Sequence, residues 1–205
     1  TADGYRQGGL GPGVTTINVT NWNTFNNGYP LIPNGVGFQS VGVNTGIKNY
    51  TISGLGVSVD IPVWHGIENI FGHMWQSEDG VNIEIQAADS GALSKAWICK
   101  KIRFFADTIT SEYACVGNIP RVEGWITQMI KGTILPLAVG GSSNTYYCDY
   151  SYTTIPTTGV SIRQVMRRGT ANTGSAAGLS CSNSNNAPSA ASAGIASRLC
   201  AVKTL

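Results

Sequence analysis

Between Gly169 and Ser197 the chain carries neither a charged nor an aromatic side chain. Ala, Ser, Asn, Gly and Thr make up nearly all of it, with Leu179, Cys181, Pro188 and Ile195 as the only larger residues. A stretch of that composition cannot bury enough apolar surface to offset its own ordering entropy. It must either hang as a linker or be held as a loop against something else. Two features favour the held loop. Arg198-Leu199-Cys200-Ala201-Val202 follows it as a strand-like return to a core, and Leu179, Pro188 and Ile195 are spaced along it as anchors. The expectation is a long ordered loop presented by an upstream scaffold.

The rest of the chain has the means to build that scaffold. Its 205 residues allow one domain with a real core, or one domain plus an arm. Charged residues are 12% of the chain, about half the usual ~25%, and the 26 glycines make about twice the usual ~7%. A coiled coil is excluded on that composition. Charge-rich disorder is excluded by the 42% hydrophobic content. A net charge of +2 gives no electrostatic case for a nucleic-acid or membrane-surface partner, and neither nucleic acid nor membrane insertion is expected. No apolar run approaches the ~20 residues of a membrane span. The chain starts at Thr1 without an initiator Met or a signal peptide, as expected of a fragment or a mature form.

Residues 1–50 are rich in Gly and Asn, with Gly8-Gly9-Leu10-Gly11-Pro12-Gly13 and Asn26-Asn27-Gly28, and read as an arm or an irregular domain edge. A short β piece at Val14–Val19 is compatible with it. The domain is expected over 51–205. Ile52, Leu55, Val57, Val59 and Ile61 alternate with smaller residues as in a strand closed by Pro62. Ile67, Ile70, Phe71 and Met74 fall on one face of a short helix. Asp79-Gly80 predicts a turn into the alternating strand Val81–Ile85. Further strands are expected at Ala96–Phe105, Thr133–Val139, Tyr146–Tyr152 and Val160–Val165, and a short helix at Arg121–Lys131. The pattern is mixed α/β, dominated by short strands and long loops.

Little of the usual catalytic chemistry is present. His65 and His73 flank Glu68, but eight residues is two turns plus about 80° of helix, so they do not share a metal-binding face. They read as structural, hydrogen-bonded histidines. There is no GxSxG, no P-loop, and no GxGxxG placed before a helix. Glu68, Glu78, Asp79 and Glu84 cluster in sequence, which suits either a cation or ordinary strand ends and turn caps. Cys99, Cys115, Cys148, Cys181 and Cys200 are an odd set without a CxxC pair, so they read as scattered thiols rather than a zinc site. The expectation is a protein that is not an enzyme, with no cofactor and no metal.

Three blocks carry a family resemblance. They are Gly66-Ile67-Glu68-Asn69-Ile70-Phe71-Gly72-His73-Met74-Trp75 with Asp79-Gly80, then Gly140-Gly141-Ser142-Ser143-Asn144-Thr145-Tyr146-Tyr147-Cys148-Asp149-Tyr150, then Arg167-Arg168-Gly169 through Gly174-Ser175-Ala176-Ala177-Gly178-Leu179, Asn183–Ser189 and Ile195–Cys200. In that order, over about residues 60–202, they resemble the variable proteins of diversity-generating retroelements. These include the receptor-binding tail proteins of phages of gut Bacteroidales. The resemblance implies an α+β, C-type-lectin-like domain of the formylglycine-generating-enzyme-like subgroup, with short strands, few helices and long loops, and a variable region at about 163–202. It implies a phage tail-fibre or tail-tip protein that binds a host cell-surface protein or glycan receptor. Homo-oligomerisation, as a trimer, and a place in the virion tail follow by the same analogy. The alternative is a bacterial surface or pilus-tip adhesin with the same diversified module.

In that family, adenines of a template repeat are randomised, chiefly in AAC codons. Those changes cannot yield Lys, Glu, Gln, Met or Trp, and residues 170–197 contain none of the five. A changed TAC codon gives Cys, which accounts for Cys181. The resemblance places ligand-binding, diversified positions at Thr170, Ala171, Asn172, Thr173, Ala176, Ser180, Cys181, Ser182, Ser184, Ala190, Ser192, Gly194 and Ser197. It places fixed scaffold at Gly174, Gly178, Leu179, Asn183, Asn185, Asn186, Pro188, Ile195 and Arg198. By the same analogy Arg198 pairs inward with an upstream carboxylate such as Glu68. The chain departs from the family in reading Arg167-Arg168-Gly169 where the family usually shows Arg-Gly-Gly. The Glu-Pro-Asn triplet of calcium-dependent lectins is absent, so calcium-mediated sugar binding is not implied, and the catalytic cysteine pair of the broader formylglycine-generating relatives has no convincing counterpart. Every diversified position is small, whereas binding hot spots favour Trp, Tyr and Arg. This variant is therefore expected to bind its receptor weakly, or to meet a flat, glycan-like surface.

Overall fold

The computed structural model describes residues 46–52, 57–64, 67–68, 74–170, 173–190 and 195–196. Those residues are mostly β-sheet with few helices. A small sheet is formed by β1 (Gly46–Ile52), β2 (Val57–Trp64) and β3 (Ile67–Glu68), all antiparallel. The main sheet is built from β4 (Trp75–Gln86), β5 (Lys95–Cys99), β6 (Tyr113–Asn118), β7 (Gly124–Met129), β8 (Pro136–Val139), β9 (Tyr150–Tyr152), β10 (Val160–Arg168), β11 (Gly178–Asn183) and β12 (Ile195–Ala196). Its order is β6-β5-β4-β10-β11-β9-β7-β8, with β12 pairing β4. Pairing is antiparallel except for β11 with β9 and β12 with β4.

Several sequence expectations change on this map. The single strand over 51–63 is a β1–β2 pair, and the boundary drawn at residue 50 falls inside β1. Ile67, expected on a helix, lies with Glu68 in β3 opposite Trp64 and Val63; residues 69–73 lie outside the described set. Asp79-Gly80 does not turn the chain. It forms an irregularity inside β4, where the register against β10 jumps from Asn82 opposite Gln164 to Glu78 opposite Val165. Gly80 supplies the positive φ of 78° there, and the Phe105 ring packs onto its open Cα. The Arg121–Lys131 helix is instead β7. Trp125, Met129 and Ile130 have helical spacing, but Ile126 is fully buried and Gly124 lets Val139 of β8 approach to 3.0 Å of where a Cβ would stand. Pairing with β8 and β9 overrides the local period.

Ala96–Phe105 is shorter than expected: β5 ends at Cys99 and a 3₁₀ turn follows at Ile102–Phe104. β8 and β9 are trimmed likewise, to Pro136–Val139 and Tyr150–Tyr152. Among the described residues the helices are 3₁₀ turns, so the α part of the α+β expectation has no counterpart there. The apolar core cluster packs against the main sheet. Val81, Ile83, Ile85, Ala96 and Val165 from β4, β5 and β10 meet Ile119, Ile130 and Leu135, with Ile98, Val116 and Ile155 at the margin. Each large side chain buried there is worth roughly 1.5–3 kcal/mol.

Candidate functional site

The uncharged segment is built into the middle of this sheet. At its entrance Arg168 and Gly169 take consecutive left-handed conformations, φ 77° and 88°, beside a register shift at Arg167/Arg168. The turn closes on itself. Thr170 N donates to Thr173 Oγ1 at 2.8 Å, the two hydroxyls share a bond of 2.8 Å, and Thr173 N donates to Thr170 O at 3.0 Å. A 3₁₀ turn at Gly174–Ala176 leads into β11. So a region expected to be loop contributes a central strand between β10 and β9.

Main-chain atoms do most of the holding. Ser180 N donates to Asp149 Oδ2 at 2.7 Å, and Ser184 N donates to Tyr152 O at 3.0 Å. Gln164 N donates to Asn186 O, and its side-chain amide donates to Ala187 O and Ala190 O. Arg163 Nη1 donates to Asn185 O at 2.9 Å. Asn183 behaves as the sequence predicts, its Oδ1 accepting from Asn185 N at 2.8 Å. Asn185 and Asn186 instead serve mainly through their carbonyls.

Gly178 is tied to its place by Asp149. A Cβ at Gly178 would collide with Asp149 Oδ1. Asp149 is buried, and its Oδ1 has no hydrogen-bond partner. Burial raises its carboxyl from 3.8 to about 6, against the lowering effect of the bonds from Ser180. Cys181 is fully buried beside it. Desolvation and then the Asp149 charge push its thiol above the ordinary range, so it is a poor nucleophile.

Arg167 supplies a strong ion pair, Nε to Glu78 Oε2 at 2.6 Å, with Nη1 donating to Ile134 O at 2.9 Å. The inward arginine expected at 198 thus has an analogue at 167; Arg198 itself lies outside the described residues. Of the four clustered acids, Glu78 serves Arg167, and Glu84 faces Lys95 at 3.9 Å and the Gln86 amide at 2.7 Å. Among the described residues no group of His, Cys, Asp and Glu is arranged to hold a metal ion.

The expected ligand-binding positions divide sharply. Thr170, Cys181, Ser182 and Ser184 are buried, so they form no contact surface: Ser182 Oγ bonds Ser151 Oγ and Ser184 Oγ bonds Thr153 Oγ1, each at 3.2 Å. Thr173, Ala176, Ser180 and Ala190 are half-buried and reach the surface. Ala171, Asn172, Ser192, Gly194 and Ser197 lie outside the described residues, as do His65, His73 and Cys200. Leu179, expected as an inward anchor, is 42% exposed. Gly174, Ser175, Ala187 and Ser189 are exposed next to these positions. Sequence reasoning missed Asp149, whose signal was a lone carboxylate inside the aromatic run Tyr146–Tyr152.

Beside the segment, half-buried Trp75, Tyr152, Tyr150 and Trp125 form a row of ring contacts, with centroids 5.8, 4.6 and 5.3 Å apart in turn. Burial, followed by the neighbouring Cys181, Tyr150 and Glu123 groups, raises the Tyr152 hydroxyl to about 12. A polar groove of about 240 Å³ lies between β4 and residues 105–107 and touches the segment at Pro188. No protein-family model matches this chain, and no curated protein or solved structure does either.

Proposed function

We propose that this chain is a receptor-binding protein of a phage tail, with a C-type-lectin-like domain whose C-terminal segment is diversified by a retroelement and meets a host cell-surface protein or glycan. The observation that carries the reading is the way residues 169–190 are held. The bonds from Arg163, Gln164, Asp149 and Tyr152 reach main-chain atoms of Ser180, Ser184, Asn185, Asn186, Ala187 and Ala190. Those bonds survive when the segment's side chains change, which is what a surface of variable chemistry on a constant backbone requires. Left-handed Arg168 and Gly169 add support, because the family has glycines at both positions and left-handed φ favours glycine.

The burial pattern sharpens the diversified set. Thr173, Ala176, Ser180 and Ala190 are the described positions suited to contact; Thr170, Cys181, Ser182 and Ser184 are packed. Sequencing the locus with its template repeat across a phage population tests this. The expected result is substitution concentrated between 170 and 197, broad in chemistry at the four surface positions and restricted to small residues at the four buried ones. Substitution spread evenly over residues 60–160 overturns the reading. Assembly as a trimer and location in the virion tail belong to the same proposal. The small side chains of this variant imply weak receptor binding or a flat glycan-like target, and a submicromolar interaction abolished by substitutions in 170–197 would refute the weak-binding form.

A further inference from the structure

Three cations crowd one short turn, while Glu78, Asp79 and Asp107 line the groove that Phe105 borders beside it. Lys100-Lys101-Ile102-Arg103-Phe104-Phe105 joins β5 to the chain leading into β6, and its three cations are all exposed. None of the three forms an ion pair among the described residues. Between them stands Ile102, 65% exposed, with Phe105 at 39%. An exposed isoleucine flanked by unpaired cations is an unusual surface for a chain in which charge is scarce.

The fold spends bonds on holding this tip in place. Lys100 N donates to Glu112 O at 3.0 Å, and Cys99 Sγ donates to Lys101 O at 3.3 Å. Phe104 N and Phe105 N close the 3₁₀ turn on Lys101 O and Ile102 O. Behind it Ala106 N donates to Tyr113 Oη, Tyr113 Oη donates to Ala106 O, and Asn82 Nδ2 donates to Ala106 O and Thr108 O. The Phe105 ring is wedged over Gly80. Phe104 carries the Arg103 guanidinium 4.7 Å and the Lys101 ammonium 5.9 Å from its ring centroid, which fixes both cations beside Ile102. The exposure of Ile102 thus belongs to an ordered turn.

We infer that the Lys100–Phe105 turn is a docking tip for an anionic lipid surface, with Lys100, Lys101 and Arg103 meeting headgroup phosphates while Ile102 enters the interfacial layer. Charge complementarity selects an anionic partner. The apolar residue at the centre selects lipid over a soluble polyanion, because only a bilayer offers the cations phosphate and the isoleucine hydrocarbon in adjacent layers. One short tip gives weak, reversible association, as a single membrane signal does. The inference is independent of the variable segment and of the proposed receptor.

Co-sedimentation of the whole chain with phosphatidylcholine vesicles, with and without phosphatidylglycerol, tests it. Association is expected only with the anionic vesicles. It should fall about fivefold for each cation removed in Lys101→Gln and Arg103→Gln, and should fall as salt rises and the Debye length shortens from ~10 Å at 0.1 M. Ile102→Ser and Ile102→Asp should both weaken it at constant salt, with circular dichroism and melting temperature unchanged because the side chain is exposed. Three results overturn the inference: no association with either vesicle, equal association with both, or anionic binding that ignores the Ile102 variants. The last would mark a purely ionic anion site.

Discussion

The two halves of the main sheet are held by different physics. Around β4 and β5, Val81, Ile83, Ile85 and Ala96 interlock with Val165, Ile119, Ile130 and Leu135 in an apolar cluster. Around β9 and β11 the buried polar residues are Ser151, Thr153, Ser182, Asn183, Ser184 and Asp149, set among Cys181, Met166, Ala177 and Ile126. The first half gains from area removed from water and tolerates imperfect fit. The second mixes apolar with polar burial and depends in addition on paired hydroxyls, main-chain bonds and one very close backbone approach. Substitutions in the second half should therefore cost in proportion to geometry, and in the first in proportion to volume.

Gly178 gives the largest expected effect. Any Cβ there meets the Asp149 carboxylate, so Gly178→Val should cost at least about 4 kcal/mol, seen as a fall of roughly 8–16 °C in melting temperature. If the clash is the cause, Gly178→Ala with Asp149→Ala should be markedly less than additive. Additive losses would show that β11 depends on something other than this contact. Ile83→Ala, at a site 1% exposed, should cost about 2–5 kcal/mol by leaving a cavity, and no partner substitution should rescue it.

The two halves were unequally legible in the sequence for the same reason. Val81, Ile83 and Ile85 alternate with polar residues, so β4 can be read directly, although it extends further than the alternation. β11 cannot be read that way. Gly-Leu-Ser-Cys-Ser-Asn presents no apolar face, and its strand state comes from partners upstream in β10 (Met166, Arg167 and Arg168) and β9 (Ser151 and Tyr152). The same non-local pairing turned Gly124–Met129 from an expected helix into a strand. Among the site residues, small size marks the segment, but burial separates Ser180 from Ser182. That difference depends on which face of β11 meets Ser151, a fact that exists only once the sheet is assembled.

Asp149 provides a pH test of the polar half. Its folded-state carboxyl titrates at about 6 against an ordinary 3.8, so folding favours the protonated acid. The associated stability is complete below about pH 4 and is lost as pH rises through 6, on the order of 3 kcal/mol in all. Asp149→Asn should flatten the dependence of unfolding free energy between pH 4 and 7. An unchanged slope would assign the dependence to other groups.

The hydroxyl pair Ser182–Ser151 should contribute less. Ser182→Ala leaves the Ser151 hydroxyl buried without this partner and should cost about 1–2 kcal/mol, whereas Ser151→Ala with Ser182→Ala should cost less than the sum of the two single changes.

The smallest effect decides whether the polar half can serve as a display surface at all. Ala176 is half-buried at the end of the 3₁₀ turn, between exposed Ser175 and buried Ala177, and its amide donates to Thr173 O through the main chain. A tyrosine placed there starts from a partly exposed position whose own bond runs through the main chain. Ala176→Tyr should therefore change the unfolding free energy by no more than about 0.5 kcal/mol. It should also raise affinity for any surface the segment already touches, since it adds a rigid aromatic contact at little entropic cost. Ser182→Tyr, six residues on in the same segment, should unfold the strand. A segment in which Ala176→Tyr proved as damaging as Ser182→Tyr would be a packed structural element throughout, and diversification of its side chains would have no surface on which to act.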